Sequence, residues 1–125
     1  IPTERLYAHF CYFNLDVDKM REASGYFIGT HDFTSFCSQK SQASSPIRTI
    51  FSLEVLQDED MITIVIRGDG FLYNMIRIIA GTLIKVGMGV YPPSHITEIM
   101  KAKNRKLAGQ TMPAKGLTLV EIEYV

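Results

Sequence analysis

The chain has 125 residues, 46% of them hydrophobic, with 13 Lys plus Arg balancing 13 Asp plus Glu. That is the length of one ordinary domain with a real core, and it excludes a charge-driven argument for or against nucleic acid. Cys11 and Cys37 have neither CxxC spacing nor a His cluster beside them, so they read as reduced thiols of an intracellular protein without a zinc site.

The chain begins with Ile1-Pro2 rather than a methionine and enters almost at once into a strand-like run, which suggests a piece of a longer protein. Leu6 to Leu15 is dense in aromatic and β-forming residues and predicts a strand. Asp16 is placed to cap a helix over Val17 to Ile28, with Val17, Met20, Ala23 or Ser24, and Phe27 at helical spacing and Gly29 ending it. Phe33 and Phe36 fall three apart, so one helical turn, capped by Asp32, would turn both inward. His31 reads as a surface or core-edge residue in preference to a catalytic base. Cys37 to Ser45 is rich in Ser and Gln and reads as a loop, either disordered or used in binding.

Ile47 to Leu56 alternates, with Ile47, Thr49, Phe51, Leu53 and Val55 on one parity, and Met61 to Arg67 answers it across an acidic turn. The two predict an antiparallel hairpin. Arg48 projects from the face opposite Phe51, and the pattern alone makes it solvent-exposed.

Gly68 to Gly89 is the stretch the rest serves. A Gly-Asp-Gly turn opens it. Phe71 to Val86 is too continuously apolar for a solvent-facing helix and too long for a strand, so it predicts a buried helix. Asn74, Arg77 and Lys85 interrupt it and rule out a membrane span. On a wheel of about 100° per residue these three and Gly81 make a narrow polar stripe beside a broad apolar arc. Gly81 leaves space beside Arg77. A guanidinium there needs an anion, since burying an unpaired charge is costly. Two readings stand: a structural ion pair within the chain, or a cleft-lining Arg77 that holds an anionic group.

Tyr91-Pro92-Pro93-Ser94 breaks the chain, and Ser94 is placed to cap a helix over His95 to Ala102 with Ile96, Ile99 and Met100 inward. Lys101, Lys103, Arg105 and Lys106 cluster after it, suited to a helix C-terminus and suggestive of phosphate contacts. Ala108 to Gly116 reads as a loop and Leu117 to Tyr124 as a closing strand. The order predicts an α+β fold, a largely antiparallel sheet with helices packed on one face. The other face would be solvated or meet another domain.

Three stretches, GTHDFTSF, RGDGFLYNMIRIIAGTLIKVG and GQTMPAKGLTLVEIEY, with SPIRTI between the first two, resemble in order and spacing the C-terminal half of the bacterial tRNA pseudouridine synthase A family. The likeness runs from about Leu15 to the end. It implies an isomerase that converts uridine to pseudouridine in the anticodon stem-loop of tRNA, with no metal or organic cofactor, as a cytoplasmic homodimer that holds tRNA across both subunits. The family's catalytic aspartate sits in a GRTDxG-type loop of the N-terminal half. No Arg-Thr-Asp triplet occurs here, so residues 1–125 would be a C-terminal domain, inactive alone, with that half as its partner.

By the resemblance, Arg77 pairs with that aspartate across the cleft between the halves. Leu117 matches an apolar residue near the target base, although Thr118 departs from the aromatic or Cys that family members often carry. Phe71, Asn74 and Lys115 are cleft residues by neighbourhood. Arg48, Lys101, Lys103 and Arg105 are candidates for tRNA phosphates. The competing expectation is a non-catalytic RNA-binding or assembly module built on the same sheet and basic cluster.

Overall fold

The computed structural model describes residues 4–11, 15–37, 45–71, 74–108 and 118–124, with backbone alone for 11 and 118–124. Five strands form one sheet: β1 (Glu4–Cys11), β2 (Gly29–Asp32), β3 (Ile47–Asp58), β4 (Met61–Gly68) and β5 (Thr118–Tyr124), in the spatial order β2-β3-β4-β1-β5. Every neighbouring pair is antiparallel. Among the described residues there are three α-helices: α1 (Val17–Ser24), α2 (Met75–Gly87) and α3 (His95–Ala102).

The pleat explains how the layers meet. Leu6, Ala8 and Phe10 of β1 and Ile62, Ile64 and Ile66 of β4 alternate with half-buried or exposed residues, and all six are sealed from solvent. They share a core with Met20 and Ala23 of α1 and Met75, Ile79 and Leu83 of α2. Burying each large side chain is worth about 1.5–3 kcal/mol. The helices therefore cover one face, and the architecture is the expected α+β. On the other face Tyr7 and His9 lie in near-parallel planes, and His9 Nδ1 shares a hydrogen bond with Thr63 Oγ1 at 3.0 Å.

Local signals place several elements. Asp16 is the α1 cap, its Oδ1 accepting the Lys19 amide at 3.1 Å. The α-helix ends at Ser24, short of the expected Ile28, and passes through a 3-10 turn over Gly25–Phe27. Gly29, with φ +106, then opens β2, a strand that the alternation of the sequence did not reveal. β2 exists because Gly29–Asp32 pairs with Ile47–Ile50 along the edge of β3. Phe33, not Asp32, stands at the cap position of the next 3-10 turn, Thr34–Phe36, and Asp32 supports the turn from one residue further back, its Oδ1 accepting from the amide and the hydroxyl of Thr34. Phe33 and Phe36 are fully buried, as their spacing predicts.

The hairpin forms with a correction. Ile50 faces Gly68 and Ser52 faces Arg67, so Phe51 is an extra residue, a bulge. The bulge reverses which parity faces the helices. Ile50 is buried while Ile47 and Phe51 are exposed, and Leu53 and Val55 return to the core. The single apolar row expected over Ile47 to Val55 is thus two rows on opposite faces. Arg48 shares the parity of Ile50 and is half-buried, in contrast to its expected solvent exposure.

α2 begins at Met75, four residues later than expected, because Asn74 adopts a left-handed φ of 61 and ψ of 10. Leu72 and Tyr73 lie outside the described residues. α3 has the expected bounds and buries Ile96, Ile99 and Met100, yet Ser94 is itself helical and makes no side-chain cap. Backbone bonds start that helix instead, from His95 to Pro92 and from Ile96 to Pro93. The long loop at 38–44 and most of the Ala108 to Gly116 loop lie outside the described residues. Among the described residues no helix is long and apolar enough to cross a membrane, and no group of three or more His, Cys, Asp or Glu is placed to hold a metal ion.

Candidate functional site

Arg77 stands in the first turn of α2, and only Arg77 and Lys85 of that helix are more than marginally exposed. Every other residue from Met75 to Gly87 is buried, Gly81 included. The thin polar strip is therefore real and narrower than the wheel implied. A helix N-terminus carries partial positive charge, so the guanidinium and the helix end together favour an anion at this point.

The approach to α2 is a tight turn. Asp69 donates its amide to Thr49 O at 3.1 Å, and its Oδ1 accepts the Thr49 amide at 2.9 Å. This reciprocal pair ties the turn to β3. Gly68 is required for it, because a Cβ there would stand 2.8 Å from Thr49 O and 3.3 Å from the Phe71 ring. Phe71 is half-buried against the core, and Asn74 is half-buried with no cap bond from its side chain. A left-handed non-Gly residue is uncommon, and Asn is among the few side chains that enter that region readily.

Gly70 connects this turn to a second region. Arg48 packs over it, and a Cβ on Gly70 would stand 3.7 Å from Arg48 Nε. Arg48 Nη1 donates to Ser45 O at 2.8 Å and to Ile47 O at 2.7 Å. Carbonyls fix its direction without cancelling its charge.

Beyond Arg48 lies the 3-10 turn Thr34–Phe36 and, packed on it, a second 3-10 turn, Arg105–Leu107. The link is Ser35, wholly buried: its hydroxyl donates to Ile99 O at 2.8 Å and accepts the Asn104 amide at 2.8 Å. This brings Lys103 Nζ to 3.9 Å from Asp32 Oδ2. Partial burial pushes the Asp32 carboxyl up, but the Thr34 hydroxyl and amide and the Lys103 ammonium outweigh it and hold the group below its usual value. Burial pushes the Cys37 thiol up and Asp32 adds to this, while Arg105 and Arg48 pull the other way. Burial lowers Arg105, and Cys37 counters it.

Of the residues expected to act, Phe71, Asn74 and Arg77 fall on one segment, Arg48 packs beside Gly70, Lys103 reaches Asp32, and Arg105 opens the 3-10 turn that follows. Lys101 is exposed near the end of α3. Lys115 and Leu117 lie outside the described residues; β5 begins at Thr118, opposite Cys11. Ser35 as a tether was not foreseeable from the residues around it. The Phe33 and Phe36 spacing implied that the turn faces inward, but nothing local signalled what Ser35 would meet 69 positions on.

A family profile described as tRNA pseudouridine synthase matches residues 23–125. The chain is 50% identical to a tRNA pseudouridine synthase A of Bacillus pumilus over 122 residues, which is 98% of this chain and 49% of that protein. It is 49% identical to the same enzyme of Brevibacillus brevis over 118 residues, 94% of this chain and 48% of that one. For Bacillus subtilis the identity is 45% over 121 residues, with 97% and 49% covered. The chain spans about half the length of the curated relatives it matches.

Proposed function

The chain belongs to the tRNA pseudouridine synthase family, and from that premise we propose that it is the C-terminal domain of an enzyme that isomerises uridine to pseudouridine in the anticodon stem-loop of tRNA. The observation that carries this reading is Arg77. It is half-buried in the first turn of an otherwise buried helix, at an end that favours negative charge, in a chain with no Arg-Thr-Asp triplet.

The catalytic aspartate comes from the N-terminal half of the same protein. Arg77 keeps that carboxylate ionised and aimed, by attraction between opposite charges in a site of reduced dielectric. The aspartate assists cleavage of the bond between uracil N1 and the ribose carbon, the base turns and rejoins the same carbon through C5, and the proton lost from C5 is matched by one gained at N1. Atoms are conserved, so the reaction draws on no redox partner, and no cofactor is assigned. Phe71 and Asn74, with Leu117 and Lys115, line the cleft around the base. Arg48, Lys101, Lys103 and Arg105 contact tRNA phosphates, which position the substrate without reading its sequence. The full protein works in the cytoplasm as a homodimer with tRNA across both subunits.

The test is a pair of substitutions in the full-length protein. Lysine keeps charge but loses the planar fork that meets a carboxylate with two bonds. Arg77→Lys and Arg77→Ala should both fold, by circular dichroism, and lose pseudouridine formation by about two orders of magnitude or more. Near wild-type turnover in both variants would refute the role of Arg77. Residues 1–125 alone should form no pseudouridine on an anticodon stem-loop, and detectable turnover by them would refute the division between halves.

A further inference from the structure

The pairing of β3 with β4 ends in an irregular rung. Ile50 faces Gly68, so Thr49 next faces Asp69. A regular hydrogen-bonded rung exchanges two main-chain bonds between the facing residues. Here the Asp69 amide donates to Thr49 O at 3.1 Å, as in a ladder. The Thr49 amide, however, donates to the carboxylate, Asp69 Oδ1, at 2.9 Å. The side chain stands in for the carbonyl of its own residue. The rung is closed while the main chain is already turning out of the sheet.

Thr49 is a firm anchor for that exit. It faces Thr30 across β2, and the two hydroxyls share a hydrogen bond at 2.7 Å. Gly68 lies so close that a Cβ on it would stand 2.8 Å from Thr49 O and 3.3 Å from the Phe71 ring. Phe71 is thus folded back over the glycine within the same turn. Gly70, at φ +155, makes the reversal where a side chain would be strained. Residues 70–74 then lead into α2, whose start at Asn74 has no side-chain cap of its own. Asp69 itself is exposed, so core packing gives no reason for an aspartate there.

We infer that Asp69 is a positioning residue for the proposed reaction. By replacing its own carbonyl in the last rung it fixes where the chain leaves β4. That sets how Phe71, and after it the first turn of α2 with Arg77, meet the cleft. What acts is an oxygen at the right reach, not a negative charge. The inference rests on the pseudouridine reading and deepens it.

Two substitutions in the full-length protein separate reach from charge. Asp69→Asn loses the charge but keeps an acceptor oxygen at the same distance from the main chain, and should stay within about twofold of wild-type kcat on tRNA. Asp69→Glu keeps the charge but carries its oxygens one methylene past the Thr49 amide. It should lower kcat by about tenfold or more, with KM and the urea midpoint little changed. Amide hydrogen exchange at Thr49, followed by NMR, should quicken in Asp69→Glu and not in Asp69→Asn. Wild-type kcat in Asp69→Glu overturns the inference, and so does an Asp69→Asn as slow as Asp69→Glu, which would make the charge the active feature. A fall in kcat matched by an equal fall in the folded fraction overturns it too, in favour of a structural role. Should Asp69→Glu fail to fold, Asp69→Ala carries the same expectation, and unfolding of both again marks a structural residue. The wild type reports the enzymatic reading by itself: no turnover there overturns both, whereas turnover that Asp69→Glu retains overturns only the positioning role.

Discussion

The Asn104 amide donates to the Ser35 hydroxyl at 2.8 Å, and the same hydroxyl donates to Ile99 O at 2.8 Å. One buried side chain so satisfies an orphan carbonyl of α3 and the amide that follows its left-handed cap, Lys103. Ser35→Ala leaves both groups without that partner. The expected loss is about 1–3 kcal/mol in urea unfolding of the intact protein. A loss below about 0.5 kcal/mol would mean that the tether is dispensable.

Gly87 is the contact point of α1 and α2. Its carbonyl accepts the Asp16 amide at 2.9 Å, and a Cβ there would stand 2.9 Å from Met20 Sδ and 3.3 Å from Leu15 Cδ2. Gly87→Ala gains helix propensity but overpacks a sealed site, with a net cost of about 1–3 kcal/mol. Because the obstacle is one flexible thioether, Met20→Ala combined with Gly87→Ala should cost less than the sum of the two single changes. Additive losses in the double-mutant cycle would show that the backbone, not Met20, sets the limit.

Asp32 gives the fold a specific acid limb. Its carboxyl lies below its usual value when folded and near about 3.9 when unfolded. A depressed folded value contributes stability that is present above the unfolded value and lost as pH falls through the folded one. Urea midpoints taken from about pH 5 down to about pH 2 should therefore fall more steeply for wild type than for Asp32→Asn. Parallel curves would contradict the assignment.

Cys37 should be a slow nucleophile. Burial first, and Asp32 second, hold its thiol above the usual value, so less thiolate is present at neutral pH than for a free cysteine. Site-resolved mass spectrometry after iodoacetamide at pH 7.4 should show slow labelling of Cys37 and faster labelling in Asp32→Asn. The direction follows from charge: removing a carboxylate makes the thiolate easier to form. Equal rates would mean that Asp32 does not reach the sulfur.

Much of this was legible in the residues. The Asp16 cap, the inward Phe33 and Phe36, the two strands of the hairpin and the bounds of α3 all follow from local chemistry. Two of the departures share one cause: a tertiary partner overrides the local pattern. Gly29–Asp32 is a strand only because β3 offers it an edge. Phe51 bulges because β4 sets the register on both sides of it. α2 starts late because Asn74 turns left-handed. Arg77 was legible as a charge on a buried helix, but the approach of Lys103 to Asp32 was not, since the two come from segments distant in sequence.

The order of the strands sets a timetable. Of the five strands described, β1 is made earliest; it is flanked by β4 and by β5, and Leu6 meets Tyr124 only when β5 has left the ribosome. Until then the outer rail of β1 presents unpaired amides and carbonyls to any passing polypeptide. Nascent chains stalled before Thr118 should depend on chaperones in a way that released ones do not.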